Sequence, residues 1–110
     1  MDARSPGRFS GSEPEPRPGL RGGHIPGSLN VFYKWLIRED HTLAPPHVIR
    51  DVFERAGVDV GKPIVTSCGS GVSACVLNLA LYRVGIRDAA LYDGSWVEWA
   101  SQPDTPVETL

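Results

Sequence analysis

One stretch constrains this chain more than any other: Pro63-Ile64-Val65-Thr66-Ser67, then Cys68-Gly69-Ser70-Gly71, then an apolar run from Val72 to about Val84. Pro63–Ser67 is short, apolar and β-branched, and reads as a strand ending at Cys68. Gly69-Ser70-Gly71 is a turn. The run that follows is apolar almost all round, so it predicts a helix buried on most sides, stopped by Gly85. Ala89–Tyr92 predicts a second buried strand, and Asp93-Gly94-Ser95 a turn into a short helix carrying Trp96 and Trp99. Strand–helix alternation of this kind predicts an α/β fold, a parallel sheet with helices on both faces.

The order strand, Cys-Gly-Ser-Gly, helix has a chemical consequence. It places a thiol at the C-terminal end of a parallel strand, where open α/β sheets bind ligands. The following helix turns unpaired N–H groups and the positive end of its dipole toward that thiol. Gly69 and Gly71 can both take positive φ, which lets successive N–H groups turn inward around an anion. Such a cradle favours thiolate over thiol and makes Cys68 the candidate nucleophile. A cysteine elsewhere beside a tight turn would be a small buried hydrophobe. Cys75, on the apolar helix among Val72, Val76, Leu79 and Ala80, is expected to be of that kind. Cysteine phosphatases use a similar loop but need an arginine six positions after the cysteine to clamp phosphate. That position is Ala74, which excludes them.

Upstream the pattern is weaker. The first 30 residues hold five of the ten prolines and six of the twelve glycines, and predict a long irregular segment, with an edge strand between His24 and Val31. Phe32, Trp35 and Leu36 suggest a short helix. Pro45 and Pro46 suit the first turn of a second one, whose stripe is Val48, Ile49, Val52, Phe53 and Ala56 and whose stop is Gly57. A length of 110 residues fits one domain, divided into the segment 1–30 and a core 31–110 that holds the loop 68–73. A formal charge of −2 argues against nucleic acid as a partner. No apolar run approaches the roughly 20 residues that span a bilayer, so no membrane role is expected. The N-terminus lacks the apolar stretch of a signal peptide, and two cysteines seven apart do not make a disulfide framework. A reducing, cytoplasmic setting is the expectation. His24, His41 and His47 lack the close Cys or carboxylate spacing of a metal site. His24 is expected to be structural, His41 and His47 solvated, and Trp96 and Trp99 packing residues.

The loop Cys68-Gly69-Ser70-Gly71-Val72-Ser73-Ala74 closely resembles the active-site loop of the 3-mercaptopyruvate sulfurtransferases, members of the rhodanese family. Further blocks of that family occur in order: Asp2-Ala3-Arg4-Ser5, Gly7-Arg8-Phe9, Glu13-Pro14-Glu15-Pro16-Arg17, Gly23-His24-Ile25-Pro26-Gly27 and Tyr92-Asp93-Gly94-Ser95-Trp96. The resemblance implies a rhodanese-like three-layer fold, with Cys68 as the sulfur-carrying nucleophile and Ser70 assisting proton movement. It implies that Arg8 and Arg17 bind the carboxylate and keto oxygen of the donor, alongside the loop residues Gly69, Gly71, Val72 and Ser73. It further implies a thiol acceptor, thioredoxin-like or small, and no metal or organic cofactor. Thiosulfate-preferring rhodaneses usually carry a Cys-Arg-Lys-Gly loop; the absence of cations at Gly69 and Ser70 argues against that donor here.

Two departures shape the remaining expectations. In the family this domain follows a second one that supplies a histidine and an aspartate to the site, and neither is present here. The family also has a β-strand leading into the Asp-Ala-Arg block, inside the sheet. The first strands are therefore expected to be missing, leaving three visible, with another chain or domain completing the sheet. The alternative to a working sulfurtransferase is a non-catalytic sulfur carrier or binding module.

Overall fold

Two parallel strands, β1 (Val65–Thr66) and β2 (Ala90–Leu91), lie at the centre of the computed structural model, which describes residues 1–110. Val65 pairs with Ala90 and Thr66 with Leu91. Helix α3 (Ala74–Arg83) makes the crossover between them that parallel pairing requires. Helix α1 (Pro6–Ser10), a 3₁₀ helix (Tyr33–Leu36) and α2 (Pro46–Arg55) precede the sheet, and α4 (Ser95–Ser101) follows it.

The sheet is wider than its two strands. Met1–Ala3 lies between β1 and the segment around Asn30, with Asp2 bridged in parallel to both Asn30 and Ser67. On one side Asp2 N–H donates to Leu29 O (2.8 Å), and the N–H groups of Val31 and Tyr33 donate to Asp2 O and Ala3 O. On the other, Ala3 N–H donates to Ser67 O, Ser67 N–H to Met1 O (both 2.8 Å), and the Met1 ammonium to Val65 O (2.7 Å). Met1–Ala3 thus occupies the interior position where a strand is expected to be missing. An extended tripeptide pairs on both edges, so these three residues close the ladder beside the Cys68 loop. Beyond Met1 a groove continues between Leu29 and Ile64, and Val65 is 55% exposed there.

Side chains alternate across this sheet. Ala3, Val31 and Cys68 enter an apolar core with Leu36, Ile49 and Phe53 and with Ala74, Leu77, Ala80 and Leu81 of α3. Asp2 and Arg4, one residue off that register, are buried outside it. Helix α2 starts at Pro46 as its proline pair predicts, buries Ile49 and Phe53, and is followed by Gly57 at φ 81°.

Other expectations fail for identifiable reasons. Only one face of α3 is buried; Val72 before it, and Leu79 and Tyr82 on it, are 75%, 56% and 54% exposed. Cys75 lies on that outer face and is exposed, not core. Ala90 is exposed too, like its register partner Val65 on β1, so the sheet face at this pair is uncovered. The segment 1–30 is ordered by polar contacts that hydropathy does not register. Ser5 caps α1, its Oγ accepting the Arg8 N–H (3.4 Å). No continuous edge strand forms between His24 and Val31: His24 pairs antiparallel with Glu108, and Asn30 pairs with Asp2. The Arg21 guanidinium donates to the carbonyls of Ala100, Gln102 and Thr105, binding this segment to the end of α4. No helix is long and apolar enough to cross a membrane.

The groove above Met1 yields a stability prediction. Burial holds the Met1 ammonium below its ordinary value of 8.0, with the Asp2 charge opposing. An amine whose folded-state pKa is depressed contributes stability that is present above 8.0 and lost as pH falls through the folded value. Extending the chain upstream of Met1 by a few apolar, β-branched residues should fill the groove and replace the ammonium with an amide. Thermal unfolding at neutral pH should then show a Tm raised by several degrees, since about 1 kcal/mol corresponds to roughly 4–8 °C at this size. The stability slope below pH 8 should disappear, and a Gly-Ser extension should remove that slope without filling the groove. An apolar extension with an unchanged Tm would show that this groove does not accept a strand.

Candidate active site

Cys68 follows β1 by two residues and is 2% exposed, its sulfur at the floor of a cleft of about 200 Å³. The cleft is lined by Arg8, Glu15, Pro16 and Arg17 from the N-terminal segment and by Gly69, Ser70 and Ser73 from the loop, with Leu20 and Val97 closing its sides. Of the residues singled out in sequence, Arg8, Arg17, Cys68, Gly69, Ser70 and Ser73 therefore share one cavity. Gly71 shapes the loop from behind, and the Val72 side chain points to solvent. His41 and His47 are exposed, and His24 is buried against Phe9, its ring 3.8 Å away and parallel.

The loop is held mainly by the start of α4. The first N–H groups of a helix have no partner inside it. Trp96 and Val97 donate theirs to the carbonyls of Cys68 (2.9 Å) and Gly69 (3.0 Å). Ser95 takes a left-handed backbone, φ 51°, which lets its Oγ accept the Cys68 N–H at 3.0 Å while donating to Tyr92 O at 2.8 Å. Both sides of the Cys68 peptide are fixed in this way. Trp96, beneath, is 1% exposed and donates from Nε1 to Arg21 O, a packing residue as expected.

The two loop glycines serve different ends. Gly71 has φ 97°, and a Cβ there would lie 2.7 Å from Asp93 O. This backbone turns the Gly71 N–H onto the Cys68 sulfur at 3.0 Å. Gly69, which could take positive φ as well, does not. Its requirement is space, because a Cβ would lie 2.8 Å from Nη2 of Arg8. Helix α3 begins at Ala74, not Val72, so the donors nearest the sulfur belong to the loop itself. The N–H groups of Gly69, Ser70, Val72, Ser73 and Ala74 donate to no acceptor in the protein.

The cations differ in the same respect. Arg8 pairs with Glu15, Nη2 to Oε1 at 2.9 Å and Nε to Oε2 at 3.3 Å. Arg17 is exposed and makes no ion pair, so it is the uncompensated positive charge on the cleft. Cys75 stands apart; its thiol donates to Gly71 O at 3.5 Å on the far side of that peptide. Glu15, on the cleft wall, and Ser95, on the Cys68 N–H, belong to the site without having stood out in the sequence. Both stand inside blocks quoted for the resemblance, but neither carries a signal by residue type alone.

Gly71→Ala should disable the loop. A left-handed residue with a Cβ costs about 1–2 kcal/mol before any clash, and here the clash is with backbone. Urea unfolding should show at least that loss, and alkylation of Cys68 should change rate. Gly69→Ala, which meets only the end of a flexible arginine, should cost less stability. Equal losses in the two variants would refute this division of roles.

The comparisons with known proteins agree with the geometry. The sequence profile of the rhodanese-like domain matches residues 1–102. The chain is 46% identical over 110 residues to thiosulfate/3-mercaptopyruvate sulfurtransferase 1, mitochondrial, of Arabidopsis thaliana, covering all of this chain and 29% of that protein. It is 48% identical over 110 residues to the 3-mercaptopyruvate sulfurtransferase of Escherichia coli K12, covering 39% of it. Among solved structures, the Tum1 protein of Saccharomyces cerevisiae superposes with a TM-score of 0.86 at 39% identity, over 97% of this chain and 38% of that one. The chain thus spans between 29% and 39% of the length of these relatives. It belongs to the rhodanese-like domain family.

Proposed function

We propose that this chain moves sulfur from 3-mercaptopyruvate to a thiol acceptor, thioredoxin-like or small, through a persulfide on Cys68. The observation that carries the proposal is the environment of the Cys68 sulfur. It sits at a cleft floor and accepts a hydrogen bond from Gly71 N–H, in a loop whose N–H groups at Gly69, Ser70, Val72, Ser73 and Ala74 have no acceptor in the protein. Two guanidinium groups, Arg8 and Arg17, stand on the cleft wall.

In the first half-reaction the Cys68 thiolate attacks the sulfur of 3-mercaptopyruvate. An S–S bond forms and the C–S bond breaks, its electron pair leaving with carbon as the enolate of pyruvate. The proton carried by the donor thiol passes to that carbon, a relay assigned in this reading to Ser70, which is exposed on the cleft. The persulfide anion would keep the Gly71 N–H and could draw on the loop N–H groups that have no protein acceptor, preorganised donors where charge collects. The arginines hold the donor's carboxylate and keto oxygen as planar forks. In the second half-reaction an acceptor thiolate, or cyanide in an assay, attacks the outer sulfur and the Cys68 thiolate leaves. Every atom is accounted for without a metal or organic cofactor.

Thiosulfate is the competing donor, since the Arabidopsis relative's name carries both substrates. Gly69 and Ser70 offer a dianion no loop cation, so 3-mercaptopyruvate should be preferred, and Gly69→Arg with Ser70→Lys should move the ratio toward thiosulfate. The central experiment is mass spectrometry of the chain after exposure to 3-mercaptopyruvate, with the expected gain of one sulfur on Cys68. Cys68→Ser should abolish it and Cys75→Ala should leave it intact; a folded Cys75→Ala chain that takes up no sulfur would overturn the assignment. Arg8→Ala and Arg17→Ala should each lower kcat/KM by roughly ten- to a hundredfold, with little recovery in the lysine variants. Unchanged kinetics in both alanine variants would reduce these arginines to solvated charge.

A further inference from the structure

Arg8 can meet a donor carboxylate only if its guanidinium stays over the loop, and the structure shows what keeps it there. We propose that Glu15 is a positioning residue that presets Arg8 for donor binding, an inference that rests on the function proposed above. Glu15 is the sole protein acceptor for the Arg8 guanidinium, and it engages both Nε and Nη2. That pairing uses the side edge of the fork and leaves Nη1 free. The Glu15 carboxylate is itself only 2% exposed, whereas the Arg8 side chain is 26% exposed.

Glu15 is in turn fixed from behind. Its Oε2 accepts from Nη1 of Arg4 at 3.3 Å, and the Arg4 side chain is 1% exposed. Arg4 donates through Nε and Nη2 to Asp2 and through Nη2 to Gly23 O at 2.6 Å. Asp2 belongs to the ladder between β1 and the Asn30 segment. An unbroken series of polar contacts therefore runs from the sheet through Arg4 and Glu15 to Arg8, which ends against Gly69. A long side chain with four torsions becomes a donor of fixed direction.

Charge alone predicts the opposite outcome from positioning, which makes the proposal sharp. Removing the Glu15 charge leaves the cleft more positive and would by itself tighten binding of an anionic donor. Loss of the preset geometry weakens binding instead.

The test uses Glu15→Gln and Glu15→Asp in the same chain. Steady-state kinetics with 3-mercaptopyruvate should show KM raised about tenfold in Glu15→Gln, with kcat within about twofold, since the thiolate and loop are untouched. A merely structural role would lower kcat through loss of folded protein and leave KM alone. Nitrogen-15 NMR of the arginine Nε–H groups gives a readout independent of turnover. The Arg8 Nε–H should exchange faster in Glu15→Gln, while the Arg4 Nε–H, held by Asp2, should remain protected as an internal control of the fold. An unchanged or lowered KM, or an Arg8 Nε–H as protected as in the parent chain, would overturn the proposal. Should Glu15→Gln fail to fold, Glu15→Asp decides: it keeps the charge but cannot span both arginines, so KM should still rise, and a parental KM would refute positioning. If the parent chain takes no sulfur from 3-mercaptopyruvate, the proposed function has failed, and the NMR comparison still decides whether Glu15 fixes Arg8.

Discussion

The buried guanidinium of Arg4 is the contact on which the other parts depend. A charge removed from water is tolerated only when it is paired and its N–H groups are satisfied. Arg4 meets this requirement with Asp2, Glu15 and Gly23 O, and its flat face lies 4.5 Å from the centre of the Trp96 ring. These partners come from the sheet, the N-terminal segment and α4. One side chain thus joins the three parts of the chain that build the cleft. Its removal would leave Asp2 a buried carboxylate with its cation gone and Glu15 held by Arg8 alone, a far larger cost than a lost surface pair.

The reaction loop is fixed by complementary shortages. A strand end leaves carbonyls to be satisfied, and a helix start leaves N–H groups to be satisfied. The carbonyls of Cys68 and Gly69 meet the N–H groups of Trp96 and Val97, so β1 and α4 complete each other. What remains without a protein acceptor is the set of loop N–H groups at Gly69, Ser70, Val72, Ser73 and Ala74, while Gly71 N–H donates to the sulfur. The left-handed backbones at Gly71 and Ser95 are the conformational cost of this arrangement. Both lie at Cys68: Gly71 donates to its sulfur and Ser95 accepts from its N–H.

How much of this was legible in the sequence follows from the kind of signal each feature leaves. The strand–loop–helix order around Cys68 and the α2 stripe rest on apolar periodicity and on glycine and proline, and these were readable to within a few residues. The fate of Cys75 was not, because α3 is apolar on every face while one face is buried, and periodicity cannot choose among equal faces. The start of the chain was misjudged for another reason. Three residues are too few for any pattern, yet Met1–Ala3 pairs on both edges. The role of Glu15 was illegible because it depends on two arginines seven and eleven positions upstream meeting one carboxylate, a coincidence created by tertiary structure alone.

A segment so poor in apolar anchors raises the question of why polar contacts, and not a larger core, hold it. Apolar packing is non-directional and adapts to small shifts, whereas a guanidinium paired side-on to a carboxylate fixes both distance and plane. Replacing a buried ion pair by apolar residues often costs no stability, so stability does not account for the network here. Direction does. The same segment is secured at its other end by His24, stacked on Phe9 with Nδ1 at 2.8 Å from Phe9 O, and by backbone pairing with Glu108. Gly23 permits that pairing, since a Cβ there would lie 2.4 Å from Glu108 O. The cleft wall that carries Arg8 and Arg17 is therefore held at one end by the sheet and at the other by the C-terminal segment. Between these fixed ends only Arg17, exposed and unpaired, is left free to follow an incoming anion. One arginine set in advance and one that can close is an arrangement suited to a small donor that must both enter the cleft and be oriented against the Cys68 sulfur.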